Sequence, residues 1–168
     1  MLEHVCNQLM TQRIQTLARI QAVPEAWMFM QLGGLTNHPA WELGHLHHSD
    51  EIVCRVLAGR EIDQTVMQHF GQGSTPTQDP AVWTRVFGSR DVAVERVRSL
   101  HAEAVGLMRG LSAARLEEAP SVDRARAAFP KIGDMVAYML WHEGYHAGQV
   151  SQWRRAAGMV GGHGGTPL

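Results

Sequence analysis

The sequence predicts an all-α protein: a single-domain four-helix bundle with a long loop between the second and third helices. Three observations predict it. Apolar residues recur every three to four positions over four long stretches. Pro24, Gly59 and Gly158 close three of those stretches, as helix-ending residues do. Apolar and polar residues nowhere alternate as they would along a half-buried strand. The length of 168 residues suits one domain, and 45% hydrophobic with 18% charged residues excludes a disordered chain.

The first helix is expected over residues 3–22. Val5, Leu9, Leu17 and Ile20 form its apolar stripe, with Gln12, Arg13 and Arg19 elsewhere. A connection over 25–38 leads to the second helix, Pro39 to Ala58. Asn37 is its expected cap, Pro39 suits its first turn and Gly59 its exit. Trp41, His45, His48 and Ile52 share one face there, while His47 lies about 200° from His45 and is expected outside.

Residues 59–88 read as an irregular connection. Its Gly71–Pro76 stretch cannot lie inside a helix, and loops of this length are often lids or binding loops. The third helix runs from Asp91 to Arg109 with Ser89 as cap, turning Val94, Val97, His101, Val105 and Met108 inward. Pro120 and Pro130 bracket another connection. The fourth helix covers 131–157, with Met135, Met139, His142, His146, Val150 and Trp153 on one face. The domain therefore spans 1–158, and 159–168 form a Gly-rich tail.

Composition narrows the partners. A net charge of −1 supplies no basic excess for phosphates, so nucleic acid is excluded as a partner. No apolar run approaches the roughly 20 residues of a membrane span, and residues 1–10 do not read as a signal peptide. A cytoplasmic location is the expectation. Cys6 and Cys54 form no C-x-x-C pair and read as small buried apolar side chains.

The ten histidines carry the chemistry. His142 and His146 are one helical turn apart on an apolar stripe, where unpaired polar rings are costly to bury. Two such rings can grip one cation. His45 and His48, both inward on the second helix, are candidates for a third ligand, and Trp41 is a candidate pocket wall. His101 reads as a fourth ligand, a pocket wall or a hydrogen-bonded core residue. Three neutral imidazoles leave coordination positions open, the pattern of a catalytic rather than a structural site. The same stretch also spells H-E-x-x-H, which in zinc proteases adds Glu143 as general base. No strand is expected to hold a peptide, and the extended protease pattern is missing downstream. Glu143 is expected to be a solvated or interface carboxylate.

The stretch from Asn37 to Leu46, NHPAWELGHL, followed far downstream by His142-x-x-x-His146-Ala147-Gly148-Gln149, resembles the DinB-like (YfiT-like) metalloenzyme superfamily. The match in helix spacing covers about residues 4–157. The loop Phe70-Gly71-Gln72-Gly73-Ser74-x-Pro76 is similar to that of one subgroup. The resemblance implies a four-helix bundle with a divalent metal on His45, His142 and His146; zinc or nickel come first, then iron. His45 is favoured over His48 because the family histidine follows Leu-Gly and precedes an aliphatic residue. Apart from the resemblance, Gln149 reads as an outer hydrogen-bond partner of a ligand ring or as packing on a neighbour. Relatives include thiol-dependent S-transferases and an isomerase, often dimeric. The implied function is a metal-dependent transferase that activates a low-molecular-weight thiol, or water, against a small electrophile. The alternatives are a non-catalytic metal- or thiol-binding module and, behind it, an H-E-x-x-H hydrolase.

Overall fold

The computed structural model describes residues 1–159, so the predicted Gly-rich tail lies, Met159 aside, outside the described residues. The elements in chain order are α1 (Leu2–Gln21), α2 (Pro39–Ala58), α3 (Gln64–Phe70), α4 (Pro80–Phe87), α5 (Arg90–Arg109), α6 (Ala113–Leu116), α7 (Asp123–Ala128) and α8 (Ile132–Ala156). One 3-10 turn, Glu25–Trp27, interrupts the α1–α2 connection. No strand occurs among the described residues. The protein is all-helical, and four long helices form its core: α1 packs on α5 and α8, and α2 on the same two.

Each long helix has local reasons to start and stop. Gly59 ends α2 in the left-handed region at φ 71°, which a side chain would resist. Ser89 Oγ accepts from the Val92 amide to cap α5. The cap of α2 is His38 rather than Asn37: its Nδ1 accepts from the Trp41 amide at 3.1 Å. Its Nε2 donates to the Thr77 carbonyl at 2.9 Å. Asn37 is thereby free for a different partner, described below.

The connection between α2 and α5 is not the plain loop expected for it. Asp63 accepts from the Thr65 and Val66 amides and starts α3. Asp79, followed by Pro80, accepts from the Ala81 amide and starts α4. These caps were readable as Asp ahead of a short apolar pattern, but helices of seven and eight residues carry too few turns for periodicity to register.

Two apolar clusters show how the helices run. One joins Leu17 and Ile20 of α1, Leu43 and Leu46 of α2, Phe70, Trp83 and Phe87, Val94 and Val97 of α5, and Val150 and Trp153 of α8. The other joins Cys6 and Leu9, Val53 and Val56, Val105 and Met108, and Met135 and Met139 of the same four helices. Moving along the chain, α1 and α8 pass from the second cluster to the first, whereas α2 and α5 pass from the first to the second. Hence α2 and α5 are parallel neighbours. A 20-residue helix is about 30 Å long, so the segment 59–89 must travel that length back before α5 can begin. The long connection is a crossover, and α3 packs on α2 along it.

Between the two clusters lies a buried polar layer. Arg13 of α1 donates from Nη1 to Asp50 Oδ2 of α2 at 2.6 Å and from Nη2 to Glu143 Oε2 of α8 at 2.8 Å. His101 of α5 meets Asp50 Oδ1 with Nδ1 at 3.0 Å and the Leu9 carbonyl with Nε2 at 3.3 Å. One network thus ties all four long helices. It corrects two expectations. Arg13 is not on a polar face, and Glu143 is not solvated; both are 1% exposed, because each supplies the other's counter-charge.

Candidate metal centre

The next polar group along the layer is the histidine cluster. The start of α2 is covered on all sides, with every residue from Pro39 to Asp50 buried. His45 therefore points into protein, toward α8. There, His142 and His146 lie one turn apart on the same face. The ligand nitrogens of His45, His142 and His146 all lie within 4.8 Å of one another. His142 Nε2 is 3.2 Å from His45 Nε2 and 3.1 Å from His146 Nε2.

The outer contacts fix how two of these rings carry their protons. His45 Nδ1 is 2.7 Å from the Phe70 carbonyl, which can only accept, so Nδ1 bears the hydrogen. His146 Nδ1 is 2.7 Å from Glu42 Oε2 and donates likewise. Both rings then turn bare Nε2 lone pairs inward. Three neutral imidazoles hold three protons in all, and two are committed outside. One proton remains to bridge two nitrogen–nitrogen contacts. A cation satisfies all three lone pairs at once. With metal–nitrogen bonds of about 2.0–2.1 Å and tetrahedral angles, neighbouring nitrogens would sit about 3.3 Å apart. The donor set, the inward lone pairs and the spacing fit such an ion.

The electrostatics agree. Burial, and then the neighbouring His146 ring, push His45 down to about 4 and His142 down to about 2. Neutral imidazole is the metal-binding form. His142 differs from its partners in having no oxygen on its outer nitrogen; its Nδ1 is buried without a hydrogen bond.

A second set of contacts holds the His45 side. Trp41 stacks on His45 with ring centroids 4.6 Å apart and planes 10° from parallel. Its Nε1 donates to Ser74 Oγ at 3.0 Å, and Ser74 donates on to the His69 carbonyl. The end of α3 and the loop after it are therefore clamped onto α2. Gly44 makes this possible: a Cβ there would come within 2.4 Å of the Phe70 ring. The Phe70–Ser74 loop is thus a brace for His45.

The other sequence candidates fall outside the cluster. His48 is buried near Glu51, with its Nδ1 3.6 Å from that carboxylate, and does not join the triad. His101 belongs to the Arg13–Asp50 network, as a hydrogen-bonded core residue. The Gln149 amide meets the Tyr145 hydroxyl at 3.4 Å rather than a ligand ring. His47 was expected outside but is buried, with its ring 5.2 Å from that of Phe87 of α4. The one-stripe picture fails there because α3 and α4 add a layer to α2. Glu143 is unsuited to act as a base, since Arg13 occupies both of its oxygens. Glu42 and Asn37 are the residues that the sequence reading missed. Their signal was position: Glu42 is three residues before His45 and four before the buried Leu46.

An all-helical domain with three convergent histidines is the class defined by fold and site. A family model for the DinB superfamily matches residues 8–150, and the chain belongs to that superfamily. No curated protein and no solved structure matches it. No helix among the described residues is long and apolar enough to cross a membrane.

Proposed function

We propose that His45, His142 and His146 hold a divalent cation, with zinc or nickel ahead of iron, and that the protein is a metal-dependent transferase acting on a small electrophile. The observation that carries this reading is the convergence of three Nε2 atoms, with Phe70 and Glu42 accepting from the Nδ1–H groups of two of the rings. When bound, the ion would lower the pKa of a coordinated low-molecular-weight thiol or water and present it as a nucleophile. The protein's part is to keep the rings neutral, hold them at fixed angles and exclude bulk water. Trp41 and the rings of Tyr138 and Tyr145, 5.6 Å from His142 and 5.1 Å from His146, wall the cluster. Cys6 and Cys54 are buried and not disulfide-bonded, and burial pushes the Cys54 thiol up to about 11. A nucleophile from outside the chain suits that better than a protein thiolate, and free thiols support a reducing, cytoplasmic setting. A homodimer completes the proposal; exposed Trp141 and Tyr145 on α8 are surface that a second copy would cover.

The low exposure of the three rings, 4–7%, favours one second reading, a metal that only pins α2 to α8. Stripping the metal, restoring it and assaying conjugation of small thiols to electrophiles separates the two. The transferase reading expects activity that returns with the ion and is lost in His45→Ala. Metal uptake that raises thermal stability, with no turnover for any thiol, would leave the pinning role alone. No uptake at all would end both.

A further inference from the structure

Resting on the metal-centre reading above, we propose that Glu42 is a positioning residue of that centre: its buried carboxylate, held by Asn37, fixes the His146 ring and supplies the negative charge that strengthens cation binding. Glu42 is 2% exposed. Its Oε2 lies 2.7 Å from His146 Nδ1, and its Oε1 accepts from Asn37 Nδ2 at 2.8 Å. The asparagine amide orients the carboxylate but brings no charge. Among the described residues no lysine or arginine pairs with Glu42; the His146 ring is its other contact. A buried carboxylate in the first turn of α2, facing an amide and an imidazole, is stabilised further by positive charge close by. The open direction is through the ring, whose Nε2 faces the other two histidines.

The three rings are held unequally. A neutral carbonyl holds His45, a carboxylate holds His146, and no oxygen holds His142. Glu42 is therefore the one carboxylate in hydrogen-bond contact with a triad ring. It makes His146 the most electron-rich donor of the three and sets its tautomer. A carboxylate placed behind a ligand ring in this way typically contributes about 10- to 100-fold in metal affinity. Asn37 extends the effect to the residues before α2, so the chain entering the helix helps to set the affinity of a site inside it.

The test compares Glu42→Gln and Asn37→Ala with the wild type in the full chain. Glu42→Gln keeps the shape and an acceptor oxygen but removes the charge. Zinc affinity is read by competition with a chromophoric chelator, the metal-free melting temperature is read in parallel, and cobalt serves as a spectroscopic probe. The expected result is about 10- to 100-fold weaker zinc binding in Glu42→Gln, a metal-free melting temperature within a few degrees of wild type and a shifted visible cobalt band. Asn37→Ala, expected to lose several-fold, carries the test if Glu42→Gln does not fold. Wild-type affinity and an unshifted band in a folded variant overturn the proposal. So does a loss of affinity in both variants that merely tracks a loss of metal-free stability, which would make Glu42 scaffold alone. A wild-type chain that takes up no metal overturns the centre itself, a distinguishable result.

Discussion

At the scale of single residues, two rings of the site, His45 and His142, are kept uncharged by burial. Burial drives His38, His45 and His142 below the ordinary histidine value near 6.5, with the His146 ring adding to it for His45 and His142. As the pH falls, the unfolded chain therefore takes up protons before the folded one does. The stability these rings permit is complete above about pH 6.5 and declines as the pH drops toward 4, the value to which His45 is pushed. His45 and His142 each cost roughly 1.4 kcal/mol per pH unit within that window. Melting temperatures of the metal-free protein at pH 7 and pH 5 check this; the lower pH should melt several degrees earlier. Equal values would mean that the rings accept protons inside the fold. The three histidines were legible in the sequence because each falls on an apolar stripe. Glu42 was hidden by its own type: an acidic residue in the first turn of a helix also serves as a partner for the helix dipole. Only its distance from His146 tells the two roles apart.

At the scale of elements, the brace formed by α3 and its following loop depends on one missing side chain. A Cβ at Gly44 would overlap several atoms of the Phe70 ring, and that ring is fully buried among Trp83 and Phe87. Gly44→Ala must push α3 away from α2, and the Phe70 carbonyl leaves His45 with it. Overpacking of this kind costs about 1–3 kcal/mol. Urea denaturation should show that loss, and zinc competition should show weaker binding although no ligand is altered. If affinity stays at the wild-type value, the loop is not a brace. The four long helices were readable within one or two residues at each end, since 20 or more positions give periodicity room to show. The short helices were not, because they span few turns and rest on packing against a long helix: α3 on α2, α4 on α5 and α6 on α8.

At the scale of the whole molecule, the buried layer of Arg13, Asp50, His101 and Glu143 joins all four long helices at mid-height. Removing its central cation by Arg13→Met leaves two carboxylates buried without their main partner. Breaking such a network from one side costs about 3–5 kcal/mol. Chemical denaturation should register a drop of that size, with near-native helix content by circular dichroism in the absence of denaturant. A drop under about 1 kcal/mol would mean that water reaches the carboxylates. The sequence held a sign of this layer. Arg13 is four residues after Leu9 and four before Leu17, and Glu143 is seven from both Val136 and Val150. Spacing from those residues puts both on apolar faces, against the turn of about 100° that separates Glu143 from His142. Three-dimensional pairing decides the matter, and pairing across 130 positions of chain is invisible to local pattern.

The parallel course of α2 and α5 bears on how the chain finds its structure. Packing joins α1 to α5 and α8, and α2 to α5, while the sequence neighbours α1 and α2 barely meet. Among the described residues no hairpin of consecutive long helices stands ready to nucleate. Each long helix waits for a partner distant in sequence, and loop-closure entropy has to be met before the contacts between long helices can form. Among all-helical domains, whose speed usually comes from local contacts, such wiring belongs with the slow folders.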